Sequence, residues 1–283
     1  MIFSRKEVHK LFKRVIGIYG SPRSGTSWLG QIFDSSPDVR YQMHPFYSWQ
    51  FRDILHPRST KEEIDDYFRR VYESDDHYLL QLERRAQGVY PSWKIKDEQP
   101  ENLVYKEVTT IYLLPILLER ASSFKAVIIV RNPFDAMTSW YNDKKDCKPE
   151  WDFQKEWYFG QSRNELQPES YYGFHKWKEA ITTFYEMEKK YPDKVCCIRY
   201  EDLYDNTEKI IEGLFRKTGC TMTEQTRSFI VDSTSWTNDN PFSVYRNHKT
   251  REKVGSDKLP DNVIEIMKTE LQWLPAAEYY GYK

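Results

Sequence analysis

The chain has 283 residues, enough for one large α/β domain or two small ones. Lys and Arg total 42 against 43 Asp and Glu, a net charge of −1, which argues against a nucleic-acid partner or an anionic membrane surface. The four cysteines include no CxxC pair and no run of 18 apolar residues occurs. These features speak against a zinc site, a redox dithiol or a membrane span, and for a soluble cytoplasmic protein.

In chain order, "RVIGIYG" (14–20) is a short apolar run ending in glycine, the pattern of a buried strand, and "TSWLGQIF" (26–33) opens a helix. Residues 46–100 are charged and aromatic, with "PRSTKEEIDDYFRRVYES" (57–74) helical. "LVYKEVTTIYLLP" (103–115) begins as a strand, and "IYLLPILLERAS" (111–122) continues as a helix. "AVIIVRNP" (126–133) is a further buried strand, followed by the helical "FDAMTSWYND" (134–143). A long helix over "YGFHKWKEAITTFYEMEKKY" (172–191), a strand in "KVCCIRYEDL" (194–203) and a helix over "TEKIIEGLFRKTG" (207–219) complete the alternation. Strands alternating with helices predict a single α/β domain over 1–283, a central parallel sheet flanked by helices. Two stretches, about 46–100 and 141–172, fit that pattern poorly. They are expected to be insertions that wall an acceptor site over the C-terminal edge of the sheet, where open α/β sheets bind ligands.

The first strand leads into "GSPRSGTSW". Gly20, four residues, Gly25 and then Thr26-Ser27 is the spacing of a phosphate-binding loop at a helix start. Nucleotide triphosphatases carry a lysine where Thr26 stands, and Arg23 lies inside this loop instead. The strand 126–133 ends in Arg131, where those enzymes place a magnesium-holding aspartate. Ser139 follows about two helical turns later. The pattern describes one phosphate in the loop, a second near Arg131 and Ser139, and no metal. The sulfuryl donor 3′-phosphoadenosine-5′-phosphosulfate (PAPS) meets that description.

At these residues the chain resembles the PAPS-dependent sulfotransferase family, in the manner of a bacterial cytoplasmic member. "SPRSGTSWL" is similar to the family's 5′-phosphosulfate loop and "IIVRNPFDAMTSW" to its 3′-phosphate motif. "IRYEDL", "DSTSWTNDNPFSVYR" and "KVGSDKLP" resemble later segments, in family order. The resemblance implies a P-loop NTPase-like sulfotransferase fold, PAPS as co-substrate, adenosine 3′,5′-bisphosphate (PAP) as product, and no metal. It implies that Arg23 touches the bridging oxygen and sulfonate, and that Ser24, Gly25, Thr26 and Ser27 hold the 5′-phosphate. Trp28, Tyr200, Thr234 and Trp236 would surround the adenine, and Arg131 and Ser139 would bind the 3′-phosphate. In the C-terminal loop the expected aromatic is replaced by Ser256-Asp257, leaving Arg251, with Lys253 and Arg246, as candidate phosphate ligands.

The family's cytosolic members place their base, a histidine, two residues after a lysine. Lys106 is present here, but Val108 occupies the histidine's position. The glycan-modifying branch places a glutamate before a proline after the first helix, and "SSPDVRYQMHPFYSW" has His44 there, before Pro45. An imidazole titrates near neutrality, so His44 is the expected general base, with Glu107 the second candidate and Lys106 a stabiliser of developing charge. The acceptor is expected to be a small-molecule or glycan hydroxyl. The aromatics of "HPFYSWQF" and "WDFQKEWYFG" favour a partly apolar alcohol, such as a sterol, or a glycolipid. A nucleotide or sugar kinase with an altered loop, and a non-enzymatic nucleotide-binding protein, are the competing readings. Oligomeric state is not legible.

Overall fold

The computed structural model describes residues 11–240, 243–247 and 259–283. β1 (Arg14–Tyr19) leads into α1 (Thr26–Asp34) and β2 (Val39–Met43), and α2 (Lys61–Glu73) and α3 (Leu82–Ala86) precede β3 (Asn102–Glu107). α4 (Leu114–Arg120) returns the chain to β4 (Phe124–Val130). α5 (Pro133–Tyr141), two short helices, α6 (Phe153–Glu156) and α7 (Gln161–Asn164), and the long α8 (Phe174–Lys190) lead to β5 (Val195–Arg199). The chain continues through α9 (Tyr200–Asp205), α10 (Thr207–Thr218), α11 (Glu224–Ser235), α12 (Asp261–Leu271) and α13 (Pro275–Tyr279).

The five strands form one parallel sheet in the order β2-β3-β1-β4-β5. After β1 the chain goes to the edge at β2 and returns inward to β3 beside β1, then crosses to build outward through β4 and β5 on the other side. The order reverses at β1, so the crevice at its carboxyl end is where a ligand is expected in a sheet of this kind. The strands alternate between two cores. Val15 and Tyr19 of β1 join Tyr105, Phe124, Phe68 and Tyr67 on one face. Ile16 and Ile18 join Val104, Val127, Leu29, Phe33 and Phe215 on the other. Gly17 makes room for the aromatic side, since a Cβ there would stand 2.5 Å from Tyr19 Cε2 and 2.9 Å from Phe124 Cε2.

β2 is a strand that the sequence reading did not anticipate. "VRYQM" is short and half polar, yet all of it but Arg40 is buried. Its polar side chains are held by the C-terminal end of α2. Arg40 donates to Ser74 O at 2.9 Å and Asp75 Oδ1 at 2.7 Å, and Gln42 donates to Val71 O and Ser74 O at 3.0 Å. α2 starts with a reciprocal cap. Thr60 Oγ1 accepts from Glu63 N at 3.2 Å, and Glu63 Oε2 accepts from Thr60 N at 2.7 Å, an arrangement that stabilises a helix by about 1 kcal/mol.

The 46–100 stretch is fastened beside α1 through a buried carboxylate. Asp34, the last residue of α1, accepts from Arg85 at 2.6 Å, Trp93 Nε1 at 2.7 Å and Lys96 at 2.9 Å. Burial alone would raise its pKa; Lys96 and Arg85 outweigh that and hold it below the usual carboxylate value. Many aromatics of 141–172 are structural. Phe153, Trp157 and Tyr171 are buried in the core, because this stretch lies over the ends of α5 and α8 and covers their apolar faces.

Candidate active site

The loop after β1 is shaped by backbone conformations that few side chains accept. Gly25 caps α1 with φ 89°, and a Cβ there would lie 2.7 Å from the Tyr200 ring. Arg23 also has positive φ, 68°, a strained state for a residue with a side chain. No side chain caps the start of α1, so its first-turn N–H groups are available to an anion. Ser24 supports the loop from beneath: it is fully buried, and its hydroxyl lies 2.8 Å from that of Ser21.

A cavity of about 450 Å³ opens at this loop. Arg23, Gly25, Thr26, Ser27, Trp28, Arg131, Ser139 and Tyr200 line it, together with His44 and Lys106. Arg131, just after β4, donates to Arg23 O at 2.7 Å and lies 4.4 Å over the Tyr200 ring. The guanidinium thus braces the loop and faces the cavity at once. Arg23 donates from Nε to Ser139 Oγ at 3.2 Å, so the loop and α5 meet across the cavity. Trp28 Nε1 donates to Ser233 Oγ of α11 at 2.9 Å.

Other expected donor residues are not brought to the cavity. Thr234 bonds back to Ile230 O at 2.9 Å, and Trp236 is half exposed, stacked on Tyr245 at 4.5 Å. Both lie at the end of α11, whose turn directs Ser233, rather than Thr234, toward Trp28. Arg246 does line the cavity and donates to Asn238 O at 2.7 Å. Arg251 and Lys253 lie outside the described residues.

His44 reaches the site from the neighbouring strand. Met43 pairs with Lys106 in the β2–β3 register, so His44 comes opposite Glu107, one position from Val108. His44 N donates to Lys106 O at 3.1 Å. The residue is buried with φ 50°, and its Nε2 has no hydrogen-bond partner among the described residues. Its pKa lies well below 6.5, because burial disfavours the imidazolium and Lys106 and Arg84 repel it. Lys106 is itself pushed down, chiefly by burial, with Glu107 opposing. Glu107 is fully buried and absent from the cavity wall. Burial raises its pKa against the pull of the Phe46 and Thr109 donors.

The sequence reading missed an acidic layer and most of the wall. Asp143 Oδ2 accepts from Arg23 Nη1 at 2.7 Å, with Asp146 3.8 Å away. Asp146 also accepts from Arg163 at 3.1 Å and from the Tyr172 hydroxyl at 2.8 Å. Asp143 lies four residues after Ser139, two past the end of α5, and that spacing was the available signal. From 46–100 the wall takes Tyr47, Tyr78, Arg84 and Tyr90; from 141–172 it takes Asp146, Arg163 and Tyr172. Among the described residues no group of three or more His, Cys, Asp and Glu side chains is placed to hold a metal ion, and no helix is long and apolar enough to cross a membrane.

The sequence profile of the sulfotransferase domain matches residues 13–262. Mouse Sulfotransferase 1A1 is 27% identical over 172 residues, 58% of this chain and 55% of the relative. The dog protein of the same name is 25% identical over 221 residues, 76% and 62% of the two chains. The matches therefore span less than two thirds of either relative's length. Among solved structures, mouse sulfotransferase SULT7A1 complexed with PAP aligns with a TM-score of 0.52 at 15% identity, covering 94% of this chain and 88% of that one. Retinol dehydratase in a complex with retinol and PAP aligns with a TM-score of 0.53 at 12% identity, covering 94% and 83%. These two likenesses show a shared fold. With the profile running from before β1 into α12, the chain belongs to the sulfotransferase domain family.

Proposed function

We propose that the protein transfers the sulfuryl group of PAPS to an acceptor hydroxyl. The observation that carries this reading is the meeting, in one cavity, of an anion-ready loop with Arg131 and Ser139 on one side and His44 and Lys106 on the other. The residues suit the donor. Gly25 gives a loop no Cβ could replace, the start of α1 and Arg23 receive the 5′-phosphosulfate, and Arg131 with Ser139 receives the 3′-phosphate. Tyr200 and Trp28 offer aromatic surface for the base.

His44 takes the hydroxyl proton as the acceptor oxygen bonds to sulfur. The bridging S–O bond breaks, and its electron pair stays on the 5′-phosphate of the departing PAP. Lys106 and Arg23 offset the charge that grows on the transferring group and leaving oxygen. His44 combines three unfavourable features: positive φ, a desolvated ring and an unpartnered nitrogen. Such costs gather where function requires them. The tyrosines of the two wall stretches suit a small, partly apolar alcohol or a sugar-bearing lipid.

The test is incubation with PAPS and a cell extract, followed by mass spectrometry for products heavier by one sulfuryl group. His44→Ala should lose transfer on the order of a hundredfold while keeping PAP affinity. Bound PAP with no sulfated product from any extract would overturn the reading, and near-normal turnover in His44→Ala would remove His44 from it.

A further inference from the structure

We propose that Arg84 is a specificity-determining residue that receives a carboxylate on the acceptor, so that the alcohol sulfated is a hydroxy acid. This deepens the reading of the protein as a sulfuryl transferase and rests on it.

The cavity wall is strongly cationic. Among the described residues it carries Arg23, Arg84, Lys106, Arg131, Arg163 and Arg246 against a single carboxylate, Asp146. Arg163 meets that aspartate at 3.1 Å, and Arg23 meets Asp143 at 2.7 Å. Arg131 braces the loop, and Arg246 stands with Ser243 and Val244. On the roles proposed above, Arg23, Arg131 and Lys106 face the donor and the transferring group. Arg84 enters from another direction, the 46–100 wall beside His44.

Its position is fixed from the backbone up. Leu79 O accepts from Met43 N at 2.9 Å, which ties the segment before α3 to the end of β2, next to His44. Arg85 is absent from the cavity wall and donates instead to Asp34 at 2.6 Å and Leu80 O at 2.9 Å. The preceding position on α3 then faces the cavity. There the Arg84 guanidinium lies 5.3 Å over the Tyr90 ring, and its Nη1 donates to the Tyr90 hydroxyl at 3.0 Å. A tyrosine is a neutral partner, which orients the guanidinium and leaves its charge in place. The same wall holds Tyr47, packed edge-on to His44 at 6.1 Å, and Tyr78, 6.3 Å from Tyr47.

A guanidinium presents a planar fork that matches a carboxylate by two parallel hydrogen bonds. One fork suits one singly charged group, while the tyrosine rings take the apolar remainder of the molecule. The anion also has a use in the transfer. Arg84 and Lys106 both repel an imidazolium at His44, and a carboxylate seated on Arg84 offsets that repulsion as His44 takes the proton.

Binding to the full chain with PAP bound tests this without turnover. The probes are para-hydroxyphenylacetate and an ω-hydroxy fatty acid of medium chain length, each against its primary amide, which keeps the shape and removes the charge. Calorimetry near neutral pH should show at least one acid binding roughly tenfold or more tighter than its amide. In Arg84→Gln that preference should fall to about threefold or less, with PAP affinity within about twofold of wild type. Arg84→Lys, which keeps the charge without the fork, should fall between. Acids that bind no better than their amides overturn the proposal. So does a preference that Arg84→Gln leaves intact, which would seat the anion on Lys106 or Arg23. If Arg84→Gln does not bind PAP, Arg84→Lys decides by the same criterion. Failure of the sulfuryl-transfer reading is seen separately, as PAP binding with no sulfated product from the extract.

Discussion

Asp143 Oδ2 sits 2.7 Å from Arg23 Nη1, with the aspartate side chain only 3% exposed, so the cation of the loop is already matched by a buried carboxylate on α5's C-terminal side. An anion entering the loop meets Arg23 with this competitor in place. Asp143→Asn keeps the shape and removes the charge. One charge about 4 Å away is worth about 1 kcal/mol when water screens it fully and more when it does not, so PAP should bind at least roughly 3- to 10-fold tighter. Calorimetry at fixed salt checks this, and unchanged or weaker binding would refute it.

The depressed pKa of His44 sets a pH signature in activity. A base that loses its charge below 6.5 is already competent at neutrality. The acid limb of kcat/KM should therefore lie below pH 6.5, with a plateau from there to the point where Lys106, itself depressed, loses its proton. A profile still climbing between pH 7 and 8 would exclude His44 as the group that sets the limb.

The same burial has a consequence for stability. The folded state holds His44 neutral, so the unfolded chain binds more protons once the pH drops below 6.5. The contribution is fully present above that value and is lost as pH falls toward the depressed pKa. Glu107, raised by burial, changes stability in the opposite sense, losing its contribution as pH rises from 4.5. The clean readout is the difference between wild type and His44→Ala. Melting curves from pH 7.5 to 5 should show wild type losing ground to the variant, and a constant difference would contradict the prediction.

Gly25→Ala tests the loop. The new Cβ would stand 2.7 Å from Tyr200, at a backbone angle that disfavours side chains. PAP affinity should fall at least tenfold, with a modest loss of melting temperature. Retained affinity would mean that the loop is not the donor's seat.

Asp34→Asn tests the wall. It leaves Arg85 and Lys96 with a neutral partner in a buried setting, a change that costs about 3 kcal/mol. Denaturant titration should register that loss. Binding of PAP, measured well below the melting temperature, should change less than twofold, because the loop stands at the opposite end of α1.

Much of this was legible in the chain itself. The runs that become β1, β4 and β5 are continuous and apolar, and the start of β3 reads as a strand. Alternation with helices then leaves few topologies. β2 was hidden because Arg40 and Gln42 make it look like loop, and what they bond to lies some thirty residues away on α2. The contact between His44 and Glu107 was hidden for the same reason: it follows from the pairing of two strands separated in sequence by all of 44–101. Thr234 and Trp236 were placed by likeness of segment, and the turn of α11 brings Ser233, rather than Thr234, to Trp28. Asp143 required reading past the end of α5, beyond the motif that drew attention to Ser139.

The sheet order has a further consequence. Arg131 and Ser139 stand on the β4 side of β1, while His44 and Lys106 stand on the β2–β3 side. On the roles proposed above, grip on the donor and handling of the acceptor's proton fall to opposite sides of β1. If those roles hold, residues 46–100 could be redrawn for a new alcohol while the Arg131 side stays intact.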